Sequence, residues 1–508
     1  MASSSIPAPT SSPFAAPLGL SLDGLSDKFT NINFSLTPST IASSALVLIV
    51  TLLLAEQSLW RWRKGNLPGW KWQIPIIGQF ADSLHPSMQA YKKRGALIVE
   101  LAIAWSTPFQ AVSVFNIFIV MTSGTDVARR ILNASASAEP CLVRSAKQVL
   151  LRLTAAENWV FLNGKIHNEY RKGLNCLFTR RALAIYLKVQ DRINRQCFNR
   201  WMSDPSPAHK PYQMIFRDLN METSLRVFCG NYVRDENVQE ISDKYWLITR
   251  ALELVNFPFA FPGTKVWSAC RARSQTVGYL IDAAAESKKQ MAAGKEPDCL
   301  LDEWVSEILA AKAYRERKDD TIEKPNLILR EYTNKEMALV LLSFIFASQD
   351  AMSSSITFAF QLLADHPEVF KKVREEQDRI RSGDRDSAVA MEWLEDGLYT
   401  NAVTTEILRL RPPVIMVPYM TTKPFQVTED YTVPKGTMLI PSFWNSLHDP
   451  AVYPDPDEFI PERWLPGGSN AGPPTASKNW LGFGHGAHRC IAQDFVFMEM
   501  NAIMGSAA

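Results

Sequence analysis

Ten residues near the C-terminus, Phe483-Gly-His-Gly-Ala-His-Arg-Cys-Ile-Ala492, constrain the fold of this chain more than any other stretch. Cys490 follows two glycines, two histidines and an arginine, and the run from Gln493 to Met504 behind it reads as helical. That order predicts a tight loop that delivers a sulfur to a helix N-terminus. Gly484 and Gly486 let the backbone bend and pass close to the sulfur. The positive helix end favours thiolate over thiol. A thiolate presented in this way can hold heme iron from one side. Taken alone, a cysteine in a Gly-rich turn also reads as a buried structural thiol, so the rest of the chain has to agree.

The other six cysteines, at 141, 176, 197, 229, 270 and 299, are scattered, with no C-x-x-C pair and an odd total of seven. That is the usage of a reducing compartment and not of a disulfide framework. Lys and Arg number 54 against 52 Asp and Glu, a net charge of +2. This balance offers no basic field, and no nucleic-acid partner is expected. An apolar content of 46% suits a globular chain with a large core.

Residues 1–35 are rich in Ser, Ala, Pro and Thr and are expected to form a disordered tail. Leu36 to Ala55 then carries no charge, and a membrane-crossing helix needs about 20 such residues. An anchor is predicted over 36–60. A cleaved signal peptide would need a basic segment and an apolar core near Met1, and neither is present. A buried helix of a soluble domain is the remaining rival. Arg61, Arg63 and Lys64 follow directly, which places the tail in the lumen and everything downstream in the cytosol. A basic linker punctuated by proline and glycine spans 61–78, including Leu67-Pro-Gly and ending at Gly78. Residues 79–508 show no repeat and no second shift of composition, so one catalytic domain is expected there. Helical periodicity dominates from about Arg144 to Leu410. Strand-like runs are few: Phe115 to Met121, then Gln426 to Thr428 and Thr437 to Ile440 around the turn at Pro434-Lys-Gly436.

Other constellations are local. Thr333-Asn-Lys-Glu336 has capping-box spacing, and the helix it opens is predicted to run to His366-Pro367. Glu406 and Arg409 stand three apart on one helical face, with Phe459-Ile-Pro-Glu-Arg463-Trp464 between them and the cysteine loop. His167 and Arg171, four apart, share another face.

The loop fits F-x-x-G-x-(H/R)-x-C-x-(G/A) through Phe483, Gly486, His488, Cys490 and Ala492. With these constellations the chain resembles the cytochrome P450 family. The strings F-A-S-Q-D-A, R-L-R-P-P-V-I-M-V-P-Y, N-W-V-F-L-N-G-K-I-H and H-D-P-A-V-Y-P-D-P-D-E-F-I-P-E-R-W are similar to those of the fungal sterol C-22 desaturases within it. The similarity runs from about Leu67 to Met504. It implies a mainly α fold with small β-sheets behind an N-terminal transmembrane helix. It further implies heme b with Cys490 as axial thiolate, and His167, Arg171 and His488 directed to the heme propionates. Tyr419 stands where many members place a propionate arginine. Arg171 and Lys172 also read as a solvated basic face toward a redox partner.

Glu406, Arg409 and Arg463 correspond to a buried structural network. Asp350 and Ser354 correspond to the oxygen side, where an acid in a water-lined kink relays protons. A plain core helix is the alternative there. Ser348 and Ala351 replace the glycine and threonine of most members, and Met352 a small hydroxyl residue of the desaturase branch. Phe344, Ala347, Val414, Met416 and the apolar part of Cys141 to Ala156 are expected substrate contacts, although each fits core packing equally well. The implied reaction introduces a C-22(23) double bond into a sterol side chain in ergosterol biosynthesis. Dioxygen and NADPH electrons would drive it through a separate NADPH–cytochrome P450 reductase, because the chain has no flavin or nicotinamide signature. The implied setting is the endoplasmic reticulum membrane, crossed once, with the catalytic domain cytosolic. Another sterol or lipid hydroxylase, and a heme-binding protein without turnover, share these residues. The chain ends 18 residues after Cys490, and family members continue further, so the C-terminal β elements are expected to be cut short.

Overall fold

The computed structural model describes residues 37–508 except 79–108, 142–158, 205–210, 251–260, 318–328 and the single positions 68, 70, 115, 116, 135, 385 and 430. The expected tail and all but Cys141 of the expected contact segment 141–156 lie outside the described residues. The chain divides into one unit ending at Arg63 and a second from Lys64 to Ala508.

Helix α1 (Pro38–Lys64), all but its last residue in the first unit, has 27 residues and a length of about 40 Å. It is long and apolar enough to cross a membrane. Leu46, Val47, Leu48, Ile49, Leu52 and Leu54 are all exposed on it, and so continuous an apolar surface without a packing partner suits lipid. The helix runs past position 60, the expected end of the anchor, and includes Arg61, Arg63 and Lys64.

The second unit opens with β1 (Phe109–Val114) and β2 (Ile117–Thr122), then α2 (Thr125–Leu132) and β3 (Ala138–Pro140). A helical body follows: α3 (Gly164–Asn175), α4 (Arg180–Ser203), α5 (Tyr212–Cys229), α6 (Asp235–Arg250), α7 (Lys265–Ala292), α8 (Leu300–Arg317), α9 (Asn334–Asp365), α10 (Pro367–Ile380), α11 (Met391–Asp396) and α12 (Leu398–Leu410). The chain then forms β4 (Tyr419–Thr421), β5 (Phe425–Thr428), β6 (Tyr431–Val433), β7 (Met438–Pro441), α13 (Phe443–Leu447) and α14 (Gln493–Ala507).

Helix α9 passes the same length and composition test as α1, but most of its apolar stretch is buried in protein. It packs on α5 and α7. Its start is fixed reciprocally: the Glu336 amide donates to Thr333 Oγ1 (3.1 Å), and the Thr333 amide donates to Glu336 Oε2 (2.8 Å). It stops at Asp365 because Pro367, which has no N–H to give, opens α10.

The strands form a five-stranded sheet ordered β1-β2-β7-β4-β3 and a β5-β6 hairpin. This corrects the expectation that Gln426–Thr428 and Thr437–Ile440 flank one turn. Phe425 pairs with Val433, whereas β7 leaves the Pro434-Lys-Gly436 turn to lie parallel to β2, with Met438 opposite Ile119. The turn is a crossing between sheets, and the burial of Met438 and Leu439 decides which sheet the second strand joins.

Candidate active site

A cavity of about 600 Å³ lies between α9 and the cysteine loop, with α3, residues 413–417 and Tyr419 completing its wall. The loop is bent by Gly484 (φ 70°) and Gly486 (φ 75°), conformations that side chains with a Cβ rarely adopt. A Cβ on Gly486 would also fall 2.5 Å from the carbonyl oxygen of Leu132 at the end of α2. The Cys490 amide donates to the Phe483 carbonyl at 2.9 Å, closing the loop. The Phe483 ring packs against Trp480 and Phe497, with centroids 6.4 and 5.8 Å away.

Cys490 is the one exposed cysteine of the seven, and it lines the cavity. Although open to the cavity, the sulfur lies deep among protein atoms, and that desolvation pushes its thiol up, against the opposing pull of the Ala492 amide, Arg171 and Arg489. The Ala492 amide at the helix end favours the thiolate, while desolvation opposes it. A bound metal cation reverses that balance, because a coordinating thiol loses its proton outright.

His167 is buried, and its ring stacks on His488 (4.0 Å between centroids) and Trp159 (5.8 Å). Burial, with Arg171 adding repulsion, holds His167 below the ordinary histidine range. Burial, His167 and Arg171 together hold His488 at about 4. His488 Nε2 lies 2.9 Å from Asn163 Oδ1, so a neutral His488 spends its ring proton on Asn163. Arg171 lines the cavity with no hydrogen bond or salt bridge among the described residues. Burial lowers its pKa, while the Cys490 sulfur works the other way. An unpaired, half-buried guanidinium facing an apolar cavity calls for a ligand that carries acid groups. A thiol at the cavity wall and a waiting arginine together fit an iron macrocycle with carboxylate side arms. Tyr419 is buried at the same cavity, its hydroxyl pushed up to about 12 by burial and by Cys141.

Behind the loop the structure brings Glu406, Arg409 and Arg463 together, all buried. Arg409 Nε and Nη2 donate to the two Glu406 oxygens at 2.9 and 2.8 Å, and Arg463 Nε donates to Oε1 at 3.1 Å. Trp464 Nε1 (2.8 Å) and the Ile460 amide (3.1 Å) complete the carboxylate's partners. Five more guanidinium protons of the two arginines go to the carbonyls of Leu447, Pro456, Glu458, Pro454 and Asp455. Buried charges persist because each is paired and bonded in this way.

On the opposite wall α9 carries Ser348–Asp350 within one helix. Asp350 and Ser354 both line the cavity. Asp350 forms an ion pair with Arg217 of α5, a partner 133 residues away in sequence. Phe344, Ala347 and Val414 line the cavity, and Met416 does not. Met416 forms a backbone bridge with Ser442 while the Phe443 amide bonds Ile415. That pairing leaves Val414 and Val417 to face the cavity. Sequence reasoning missed an aromatic wall of Trp159, Phe178, Phe228 and Phe495. Three of its members meet Phe344: Trp159 at 6.3 Å, Phe178 at 5.8 Å and Phe228 at 5.9 Å between centroids. Four separate elements supply these rings, and no single stretch of sequence signals them.

A mainly helical body that presents a cysteine on a double-glycine loop to an apolar cavity defines the heme-thiolate class. The sequence pattern of "Cytochrome P450" matches residues 108–507, and the chain belongs to that family. Membership brings heme with a cysteine thiolate as axial ligand. The fold is that of the retinoic acid-bound cyanobacterial CYP120A1, with a TM-score of 0.66 at 21% identity, covering 86% of this chain and 90% of that one. Among curated relatives, the cytochrome P450 monooxygenase oblE of Emericella variicolor is 40% identical, covering 92% of this chain and 87% of the relative. The C-22 sterol desaturase ERG5B of Gibberella zeae is 40% identical over 91% and 85%. The C-22 sterol desaturase ERG5 of Saccharomyces cerevisiae is 40% identical over 91% and 82%.

Proposed function

We propose that the chain desaturates a sterol side chain at C-22 as a membrane-anchored heme-thiolate enzyme. The observation that carries this reading is 40% identity across nine-tenths of the chain to C-22 sterol desaturases of two fungi. The cavity supports it: Phe344, Ala347, Val414, Val417 and the aromatic wall offer an apolar sleeve with few polar groups, as a steroid side chain requires.

Heme held by a thiolate supplies activation of dioxygen and removal of hydrogen from an unactivated carbon. Cys490 would be its ligand. Arg171 would meet its acid groups, with the stacked His167–His488 pair as a neutral wall beside them. Phe483 and Gly486 hold the sulfur in place, and Glu406 with its two arginines braces the chain behind the loop. The aromatic wall orients the substrate and excludes bulk water. In the overall balance the sterol gives up two hydrogens, NADPH and a proton supply two more, and dioxygen leaves as two waters. The electrons would come from NADPH–cytochrome P450 reductase, with α1 holding the enzyme in the endoplasmic reticulum membrane.

Membranes carrying the chain, reductase and NADPH, supplied with an ergosta-type sterol, test the proposal. A C-22 alkene is expected. The equally similar monooxygenase relative points to the second reading, oxygen insertion, and a hydroxylated sterol without alkene would establish that reading instead.

A further inference from the structure

Position 351 is alanine, so α9 offers no hydroxyl there to pass a proton toward the cavity. The hydroxyls of this wall are arranged otherwise. Arg217, Asn220 and Ser224 stand three and four apart on α5, one face of that helix, and all three meet α9. Ser348 lines the cavity, and its Oγ lies 2.8 Å from Ser224 Oγ, where either can donate. Asn220 Nδ2 donates to Gln349 Oε1 at 3.0 Å, and Gln349 Nε2 donates to the Arg217 carbonyl at 2.9 Å. Arg217 in turn holds the Asp350 carboxylate.

Two atoms of this interface are left open. Asn220 Oδ1 and Tyr245 Oη, the latter from α6, are buried without a hydrogen-bond partner among the described residues. Tyr245 lies close enough to Asp350 and Arg217 to feel both charges. Buried polar atoms left open by protein are served by ordered water. This seam leaves an acceptor open on α5, one helical turn from Ser224, and a hydroxyl open near the Asp350–Arg217 pair.

We propose that the seam between α5, α6 and α9 is a hydrated proton duct, opening into the cavity at Ser348, that replaces a hydroxyl at position 351. A proton leaves Ser348 Oγ for the cavity, the Ser224 proton refills Ser348, water held at Asn220 and Tyr245 refills Ser224, and a proton from bulk solvent restores that water. One proton moves inward, no electron moves and no heavy-atom bond changes. Ser348 is the residue that reaches the cavity; Ser224, Asn220 and Tyr245 act through it as positioning residues. The duct rests on the oxygen-activating reading of the site and not on which sterol carbon reacts.

The test uses the full-length holoenzyme with reductase, as wild type, Ser224→Ala, Ser224→Thr and Tyr245→Phe. Total sterol product per NADPH, counting alkene and alcohol together, is expected to fall by at least about tenfold in Ser224→Ala. Peroxide should rise to match, and Ser224→Thr should restore coupling. Tyr245→Phe, which keeps the ring and removes only the hydroxyl, should uncouple in the same direction. Sterol affinity by spectral titration and the thermal midpoint should stay at wild-type values. A crystal structure should show water at Asn220 Oδ1 and Tyr245 Oη. Unchanged coupling in both variants, loss of sterol affinity in step with coupling, or protein partners in place of those waters would each overturn the duct. Appearance of alcohol alone would overturn C-22 desaturation and leave the duct standing.

Discussion

Glu406 shows how much a single side chain carries here. Its two oxygens accept from Arg409, Arg463, Trp464 and the Ile460 amide, and Glu406 and the three donor side chains are all buried. Removing it strands two buried guanidinium groups, and breaking a buried pair by deleting one partner costs about 3–5 kcal/mol. Glu406→Ala is therefore expected to lower the thermal midpoint sharply and to reduce the heme bound per polypeptide. A wild-type midpoint and full heme content would contradict the bracing role. Cys490 has the opposite character, since burial works against its charged form and only its ligand makes the thiolate stable.

At the scale of elements, the packing of α14 on α4 sets a pH dependence. Phe495 meets Tyr186 (6.3 Å between centroids) and Ser506 Oγ lies 3.5 Å from Asp191 Oδ1, so Glu499, between them on the same face of α14, points into the bundle. It is buried, Oε2 has no hydrogen-bond partner among the described residues, and burial raises its pKa from 4.5 to about 8. The folded state thus keeps this proton after the unfolded chain has released it. Stability is full below the ordinary carboxylate range, falls as pH rises from about 4.5 to 8, and is level above. The loss is on the order of 5 kcal/mol. Thermal midpoints across that range should decline in wild type and decline much less in Glu499→Gln; parallel curves would contradict the assignment.

What the sequence shows at this scale follows the range of each interaction. The Thr333–Glu336 cap and the stop at Pro367 were legible because four neighbouring residues or fewer suffice to make each. The Cys490 loop was legible because its glycines, histidine and cysteine lie within ten positions. The hairpin partner of Phe425, the turning of Met416 away from the cavity and the pairing of Asp350 with Arg217 were not. Each depends on chain segments brought together by packing, which no local pattern encodes.

For the whole molecule, the division at Arg63/Lys64 separates an apolar helix from the heme-binding body. Placing arginine at Leu48 and Leu52, both exposed on α1, costs about 2.5–3.5 kcal/mol each for membrane insertion. The doubly substituted full-length chain should leave membranes on alkaline carbonate extraction, whereas the wild type stays in the pellet. Retention of both would contradict the role of α1 as the anchor. The body's activity rests on one bond, from Cys490 sulfur to iron. The difference spectrum of the reduced, carbon monoxide-bound protein reads that bond directly. Wild type should give its Soret band at the thiolate position, and Cys490→Ser should lose it. A wild-type band at the neutral-thiol position, or a thiolate band that survives the substitution, would contradict the account.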